Sequence, residues 1–300
     1  MVRGMVDRMD VSLVVVAYDM ARELPRTLRS LSREIQLGVD DIRYEIIVVD
    51  NGSPDPVVPA VDGSWRVLRM PTPSVSPAPA VNLGIASSRG HLIGVFVDGA
   101  RLASPGLVRA SWIAASSMPR PVIGTAALHL GPDLQSRSIG NGYDQGAEDD
   151  LLRGIGWEDD GYRLFDVAVF AASSQQGWFG PLAESNALFL NRDMWQELGG
   201  YDERFRLPGG GLVNPDAWAR ACALARADVG VLVGEGTFHQ FHGGVSTNAP
   251  ISPWPVFHAE YRQIRGRDYE VPVIEPAYLG TLGPNALSLL QRSGLATSPP

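Results

Sequence analysis

Apolar positions along the chain fall into short, nearly unbroken β-branched runs and into stretches of helical spacing. Val11 to Ala17 holds one polar residue and reads as a strand covered on both faces. Leu24, Leu28, Leu31 and Ile35 recur at helical intervals, which predicts an amphipathic helix from Arg22 to Leu37. A second buried strand, Tyr44 to Val49, stops abruptly at Asp50-Asn51-Gly52-Ser53. Further on, the pattern predicts a weaker strand from Trp65 to Met70, a Pro/Ser-rich loop from Pro71 to Pro79 and a short helix from Asn82 to Ser88. Another buried strand, His91 to Val97, ends at Asp98. Repeated strand, helix, strand predicts a parallel α/β sheet with helices on both faces. Ligands of such sheets sit beyond the carboxyl ends of the strands, where Asp50 and Asp98 both stand.

The second half is less regular. Strands are expected at Pro121 to Leu130, Asp166 to Ala172, Asn186 to Asn191 and Val229 to Gly234, with helices at Pro215 to Arg226 and Trp254 to Arg265. Gly131 to Gly161 contains Glu148-Asp149-Asp150 and Glu158-Asp159-Asp160 and reads as a solvated acidic loop. Residues 1–10 read as a flexible leader, with Met9 as an alternative start. Residues 246–300 form a C-terminal extension, disordered from Ser293 to Pro300.

Composition narrows the function. The 300 residues are 45% apolar and 19% charged, which suits one large globular domain or two small ones. No apolar run approaches the ~18 residues of a membrane span. No charged start leads into an apolar segment, so a cytoplasmic protein is expected, with peripheral membrane docking left open. All 25 basic residues are arginine, which excludes Schiff-base, P-loop and kinase lysines. A net charge of −8 without a basic run argues against a nucleic-acid partner. Cys222 is the only cysteine, which excludes an intrachain disulfide and a thiolate zinc cluster; its Ala-rich surroundings suggest inert packing.

The chain carries, in order, Val11–Tyr18, Asp50-Asn51-Gly52-Ser53-Pro54-Asp55, Asn82-Leu83-Gly84-Ile85-Ala86 with Arg89-Gly90, and Val97-Asp98 with Ser104-Pro105-Gly106. Leu198-Gly199-Gly200-Tyr201-Asp202-Glu203 and Asp216 follow. The order and spacing of these pieces resemble the inverting glycosyltransferases of family 2, over about Val11 to His242. The resemblance implies a glycosyltransferase-A-like fold: a single Rossmann-like, mostly parallel sheet flanked by helices. Its nucleotide-binding half would be 11–100, and 101–245 an irregular acceptor half. It also implies transfer of a sugar from a nucleotide donor, a UDP-sugar, to a hydroxyl of a glycan, a lipid-linked or a small-molecule acceptor. Self-association stays open.

Site residues follow from the same resemblance. Asp50 would grip the uracil N–H, with Ala17, Tyr18 and Asp19 lining the pocket; a plain turn aspartate is the alternative. Asn82 and Arg89 would close over base and diphosphate, although Arg89 also suits a helix end. Asp98 matches the first acid of the Asp-x-Asp metal motif, but the second position is Ala100. Diphosphate and water supply most ligands of Mg²⁺ or Mn²⁺, so Asp98 with His242 or His239 would suffice. Alternatively, Arg101 neutralises the diphosphate without a metal. Asp216, at a helix start, is the implied general base, N-capping its alternative and Glu184 the second candidate. Trp178 and Phe179 are candidates for sugar stacking, against ordinary core packing. Gly209-Gly210-Gly211 lacks the following Lys of a P-loop and reads as a mobile loop near the acceptor.

Rival functions remain. Ala100 and Pro215 stand where acids are expected, which suits a degenerate, non-catalytic binder of nucleotide or glycan. A sugar-nucleotide pyrophosphorylase would want glycine after the first strand, and Val16-Ala17-Tyr18-Asp19-Met20 has none. A protein-interaction module rests only on the acidic loop.

Overall fold

Side chains that alternate along a buried strand face opposite sides of a sheet, and each side needs its own cover. In the computed structural model, which describes residues 9–224, 226–244 and 253–300, this requirement builds two cores around one mixed sheet. Its strands are β1 (Val11–Ala17), β2 (Tyr44–Asp50), β3 (Arg66–Arg69), β4 (Leu92–Phe96), β5 (Arg101–Ala103), β6 (Pro121–Leu130), β7 (Ala168–Phe170), β8 (Leu188–Asn191), β9 (Asp228–His239) and β10 (Ala277–Gly280). Their order is β10-β9-β6-β8-β4-β1-β2-β3, with β5 beside β9 and β7 beside β6. The helices are α1 (Leu24–Ser30), α2 (Ala78–Ser87), α3 (Leu107–Ser116), α4 (Gln135–Ser138), α5 (Gln145–Ile155), α6 (Arg192–Leu198), α7 (Val213–Cys222), α8 (Trp254–Arg265) and α9 (Pro284–Arg292).

Val14 and Val16 of β1 face a core shared with α2, α6, α7, α8 and α9, while Leu13 and Val15 face α1 and α3. The expected parallel sheet is found in β3-β2-β1-β4. Beyond β4 the sheet is mixed: β8 runs antiparallel to both β4 and β6, and β9 runs parallel to β6. The carboxyl ends of β1, β2, β4, β6 and β9 therefore share one edge. Helix α2 can lie close on β1 because residue 84 is glycine; a Cβ there would strike Val14.

Several boundaries differ from expectation, each for a physical reason. Helix α1 stops at Ser30 because the Gln36 Nε2 donates to the Ser30 carbonyl at 2.8 Å and the Leu37 amide turns to Pro105 at 2.8 Å. Helix α2 begins in the expected loop, since Pro77 and Pro79 are compatible with a first turn. The last expected strand is longer: β9 continues through Glu235 to His239, with its register against β6 shifted between Gly124 and Ala126. Glu235 can sit there because Ser104, the Gly106 amide and the Tyr162 hydroxyl all donate to it.

The acidic stretch is not a solvated loop throughout. It contains α5, whose Glu148 is fully buried, while Glu158, Asp159 and Asp160 are exposed as expected. The C-terminal extension adds β10 to the sheet edge and buries Ala286, Leu289 and Leu290 of α9. Within the tail expected to be disordered, Leu295 packs on the core and its amide bonds Leu290 at 3.0 Å. The leader up to residue 8 and the junction 245–252 lie outside the described residues. Among the described residues, no helix is long and apolar enough to cross a membrane.

Candidate active site

Asp98 lies just past β4, and β9 delivers His239 to the same edge, opposite Arg101 of β5. The His239 Nε2 is 3.0 Å and the His242 Nε2 3.4 Å from the Asp98 Oδ2, and the two imidazole nitrogens are 3.1 Å apart. The three ligand atoms lie within 4.8 Å of one another, a grouping that suits a metal ion. The Asp98 Oδ1 accepts the Ala100 amide at 2.9 Å, so its Oδ2 is the oxygen turned to the histidines.

A residue distant in sequence orients His239. The Gln135 Nε2 donates to the His239 carbonyl at 3.0 Å, which leaves the Gln135 Oε1 to face the His239 Nδ1 at 2.7 Å. An amide oxygen only accepts, so Nδ1 carries the proton and Nε2 presents a lone pair. Burial and the nearby Arg101 charge push the His239 pKa down to about 4, keeping the ring neutral near pH 7. Burial opposes the Asp98 charge, yet the facing His242 and His239 hold its carboxyl well below the usual range. His242 shifts upward, the Asp98 charge outweighing burial. A neutral imidazole, a carboxylate oxygen and a second imidazole converging on one point form a donor set that suits a divalent cation.

His242 owes its place to two other residues the sequence pattern did not single out. Glu148 accepts the Phe241 amide at 2.8 Å, and the Arg22 Nη1 donates to the Phe241 carbonyl at 3.0 Å. Arg22 also pairs with Glu23, Glu148 and Asp149. Both backbone groups of the residue before His242 are thereby tied to the turn preceding α1 and to α5.

Arg101 is largely buried, with Nε 3.8 Å from the Asp98 Oδ2. Its Nε and Nη1 have no hydrogen-bond partner among the described residues. Burial lowers its pKa, against the charges of Asp98 and Glu184 on either side. A buried guanidinium with unused donors beside a cation site suits an anionic ligand.

Asp50 occupies the expected strand end, but its carboxylate is engaged. It accepts from the amides of Gly52 at 3.1 Å, Ser53 at 2.8 Å and Val57 at 3.3 Å, and from the Arg69 Nη1 at 2.7 Å. These contacts are those of the turn aspartate considered as its alternative. Ala17 is buried at the end of β1, Tyr18 beyond it is exposed, and the Asp19 amide bonds the Ser53 Oγ at 3.0 Å. A cavity of about 830 Å³ runs from Asp19 and Ser53 along α1 past Leu28 and Trp65; Asp98, Arg101 and the two histidines do not line it.

Other expected site residues are placed elsewhere. Arg89 pairs with Glu45 at 3.0 Å and its amide meets the Ser12 Oγ at 3.2 Å, both at the amino ends of β1 and β2. It is at the wrong edge of the sheet for a phosphate held near Asp98. Asn82 clamps Tyr201 and Glu203: its Nδ2 donates to the Tyr201 carbonyl at 2.9 Å and to the Glu203 Oε1 at 2.8 Å.

Asp216 is buried and bonded by the Arg220 Nε at 2.8 Å and by the Arg265 Nε at 2.6 Å and Nη2 at 2.7 Å. Its Oδ1 accepts one guanidinium N–H and its Oδ2 accepts two. Trp178 is fully buried, packs on Phe165 and Phe170, and donates to the Glu235 carbonyl at 2.6 Å, so it is core and not a stacking platform. Phe179 packs on Tyr278. The glycine loop is tied down, the Gly209 amide bonding the Val75 carbonyl at 2.9 Å. Cys222 behaves as packing, its thiol pushed up to about 12 by burial.

Glu184 is half-buried and oriented by two amides: Asn214 donates to its Oε2 at 2.7 Å and Asn186 to its Oε1 at 3.3 Å. The Tyr201 hydroxyl donates to the Asn214 Oδ1 at 2.9 Å, which fixes that amide's orientation. Asn214 opens α7, so the first turn of this helix meets Glu184 while Asp216 faces away toward α8.

Residues 12–99 match the family model described as glycosyl transferase family 2. No curated protein matches the chain. Among solved structures, the chain is similar to Staphylococcus aureus TarS, with 14% identity and a TM-score of 0.53 over 85% of this chain and 39% of that one. TarS 1–349 in complex with UDP-GlcNAc gives a TM-score of 0.56 at 14% identity, covering 85% of this chain and 65% of that one. The same form in complex with UDP gives 0.53 at 15% identity, covering 85% and 64%. The likeness is one of fold, and the chain spans less than two thirds of each of these chains. It bears out the expected glycosyltransferase-A-like α/β architecture.

Proposed function

We infer that this chain, whose residues 12–99 match the glycosyl transferase family 2 model, is an inverting glycosyltransferase of that family that moves a sugar from a UDP-sugar to an acceptor hydroxyl. The observation that carries the reading is the convergence of Asp98, His239 and His242 beside Arg101, whose Nε and Nη1 make no hydrogen bond among the described residues, at the carboxyl edge of the sheet. The UDP-GlcNAc and UDP complexes of the TarS structures support a nucleotide-sugar donor.

Asp98, His239 and His242 would hold a divalent metal, which when bound neutralises charge on the diphosphate. Arg101 donates its Nε–H and Nη1–H, which make no hydrogen bond among the described residues, to the same leaving group, in a dry setting where such bonds are strong. Exposed Tyr18, with Asp19, offers a face for the base. Glu184 takes the acceptor proton as general base, the role expected of Asp216. The acceptor is a glycan, a lipid-linked or a small-molecule hydroxyl reached from the cytoplasm or a membrane surface.

Calorimetric titration with UDP and GDP, each with Mn²⁺ and with EDTA, tests the donor site. Metal-dependent UDP binding is expected, and binding of neither nucleotide sinks the reading. The lock on Asp216 favours a second reading, a nucleotide binder without turnover. Donor hydrolysis or transfer by the wild type eliminates it.

A further inference from the structure

We propose that the metal site selects a nitrogen-favouring transition ion, of the Co²⁺, Fe²⁺ or Zn²⁺ class, over Mg²⁺; this rests on the donor-site reading above. The second acid of the Asp-x-Asp pattern is absent here, and the side chain facing Asp98 is an imidazole instead. Ala100 is fully buried and contributes only its amide, which donates to the Asp98 Oδ1 at 2.9 Å. The protein therefore offers one oxygen, Asp98 Oδ2, against two nitrogens, His239 Nε2 and His242 Nε2.

Mg²⁺ demands near-octahedral oxygen ligands and sheds water reluctantly, whereas imidazole suits the later first-row ions. His239 is built as a ligand: it is 2% exposed, and Gln135 holds its Nδ1 at 2.7 Å and its carbonyl at 3.0 Å. That pair of bonds fixes both the ring plane and the tautomer that aims a lone pair at the site. The half-buried His129 ring, 5.5 Å from that of His239, backs this arrangement, its Nδ1 accepting the Gln135 backbone N–H at 3.0 Å. A carboxylate at position 239 would instead restore the harder set of two oxygens and one nitrogen.

The test uses the full chain stripped of metal. Calorimetry with Co²⁺ and with Mg²⁺, with and without UDP, gives the two affinities, and the visible absorption of Co²⁺ reports nitrogen ligation. Co²⁺ is expected to bind at least about tenfold more tightly than Mg²⁺. Gln135→Leu is expected to weaken Co²⁺ binding by about 10- to 100-fold. His239→Asp is expected to lower the Co²⁺:Mg²⁺ affinity ratio by about tenfold or more. Melting curves establish that the variants fold, and His242→Asp carries the same test if His239→Asp does not. Equal affinity for the two ions, or an unchanged ratio in the folded variant, overturns the proposal and leaves the donor site standing. Absence of Co²⁺ binding with UDP present, while UDP still binds, overturns it and the metal together.

Discussion

Asp50 and Asp98 begin as equals: each follows a buried parallel strand and stands at the same edge of the sheet. The structure gives them opposite surroundings. Asp50 accepts three backbone amides and the Arg69 guanidinium, so its charge is spent on the turn that carries the chain away from β2. Asp98 accepts one amide and turns its other oxygen to two imidazoles and the side of Arg101. A second pair repeats the lesson. Asp216 is closed by Arg220 and Arg265, while Glu184 accepts, among the described residues, hydrogen bonds from the neutral amides of Asn186 and Asn214, with the Arg101 charge nearby. A carboxylate becomes available for chemistry when few hydrogen-bond donors claim its oxygens, whatever strand or helix end it occupies.

The comparison breaks most visibly at Asp98. Asp98→Ala is expected to reduce divalent-ion affinity by more than about 100-fold, measured by calorimetry, while Asp50→Asn leaves it nearly unchanged. Equal losses in the two variants would show that Asp50 also serves the donor site. At the second pair, Glu184→Gln is expected to slow donor turnover by about 10²- to 10⁴-fold with UDP affinity retained. Asp216→Asn is expected instead to cost about 3 kcal/mol of stability, because Arg265 and Arg220 lose their shared partner. Denaturant unfolding and a turnover assay on both variants separate the roles; a stable, inactive Asp216→Asn would return the base to that residue.

Smaller effects sharpen the contrast. Asp50→Asn is expected to cost roughly 1–3 kcal/mol, since Arg69 is partly solvated and screened. Burial opposes the Asp50 charge, but the Ser53 and Val57 amides and Arg69 outweigh it and lower its pKa. Stability from a lowered carboxyl is present above its unfolded value, near 3.8, and is lost as pH falls through the folded value. The stability difference between wild type and Asp50→Asn should therefore hold above about pH 3.8 and shrink in unfolding curves taken below it. Trp178→Phe is expected to cost about 1 kcal/mol through its bond to Glu235 and to leave turnover intact, in contrast to a sugar-stacking tryptophan.

Sequence alone determined the parallel half and the carboxylates at its strand ends. A strand buried on both faces must be apolar throughout, so Val11–Ala17, Tyr44–Val49 and the run before Asp98 are visible residue by residue. The histidines were nameable as candidates because they follow a strand, but their pairing with Asp98 spans 141 residues for His239 and leaves no local periodicity. Only the tertiary structure decided that Gln135, 104 residues from His239, sets its tautomer, and that Glu148, 93 residues from Phe241, anchors the turn carrying His242. Likewise, whether an acid is neutralised depends on arginines brought in from afar, as Arg265 is to Asp216 across 49 residues. Local sequence records burial, because every residue of an element must obey it. A hydrogen-bond partner is one residue contributed by another element, and only the folding of the chain determines which one arrives.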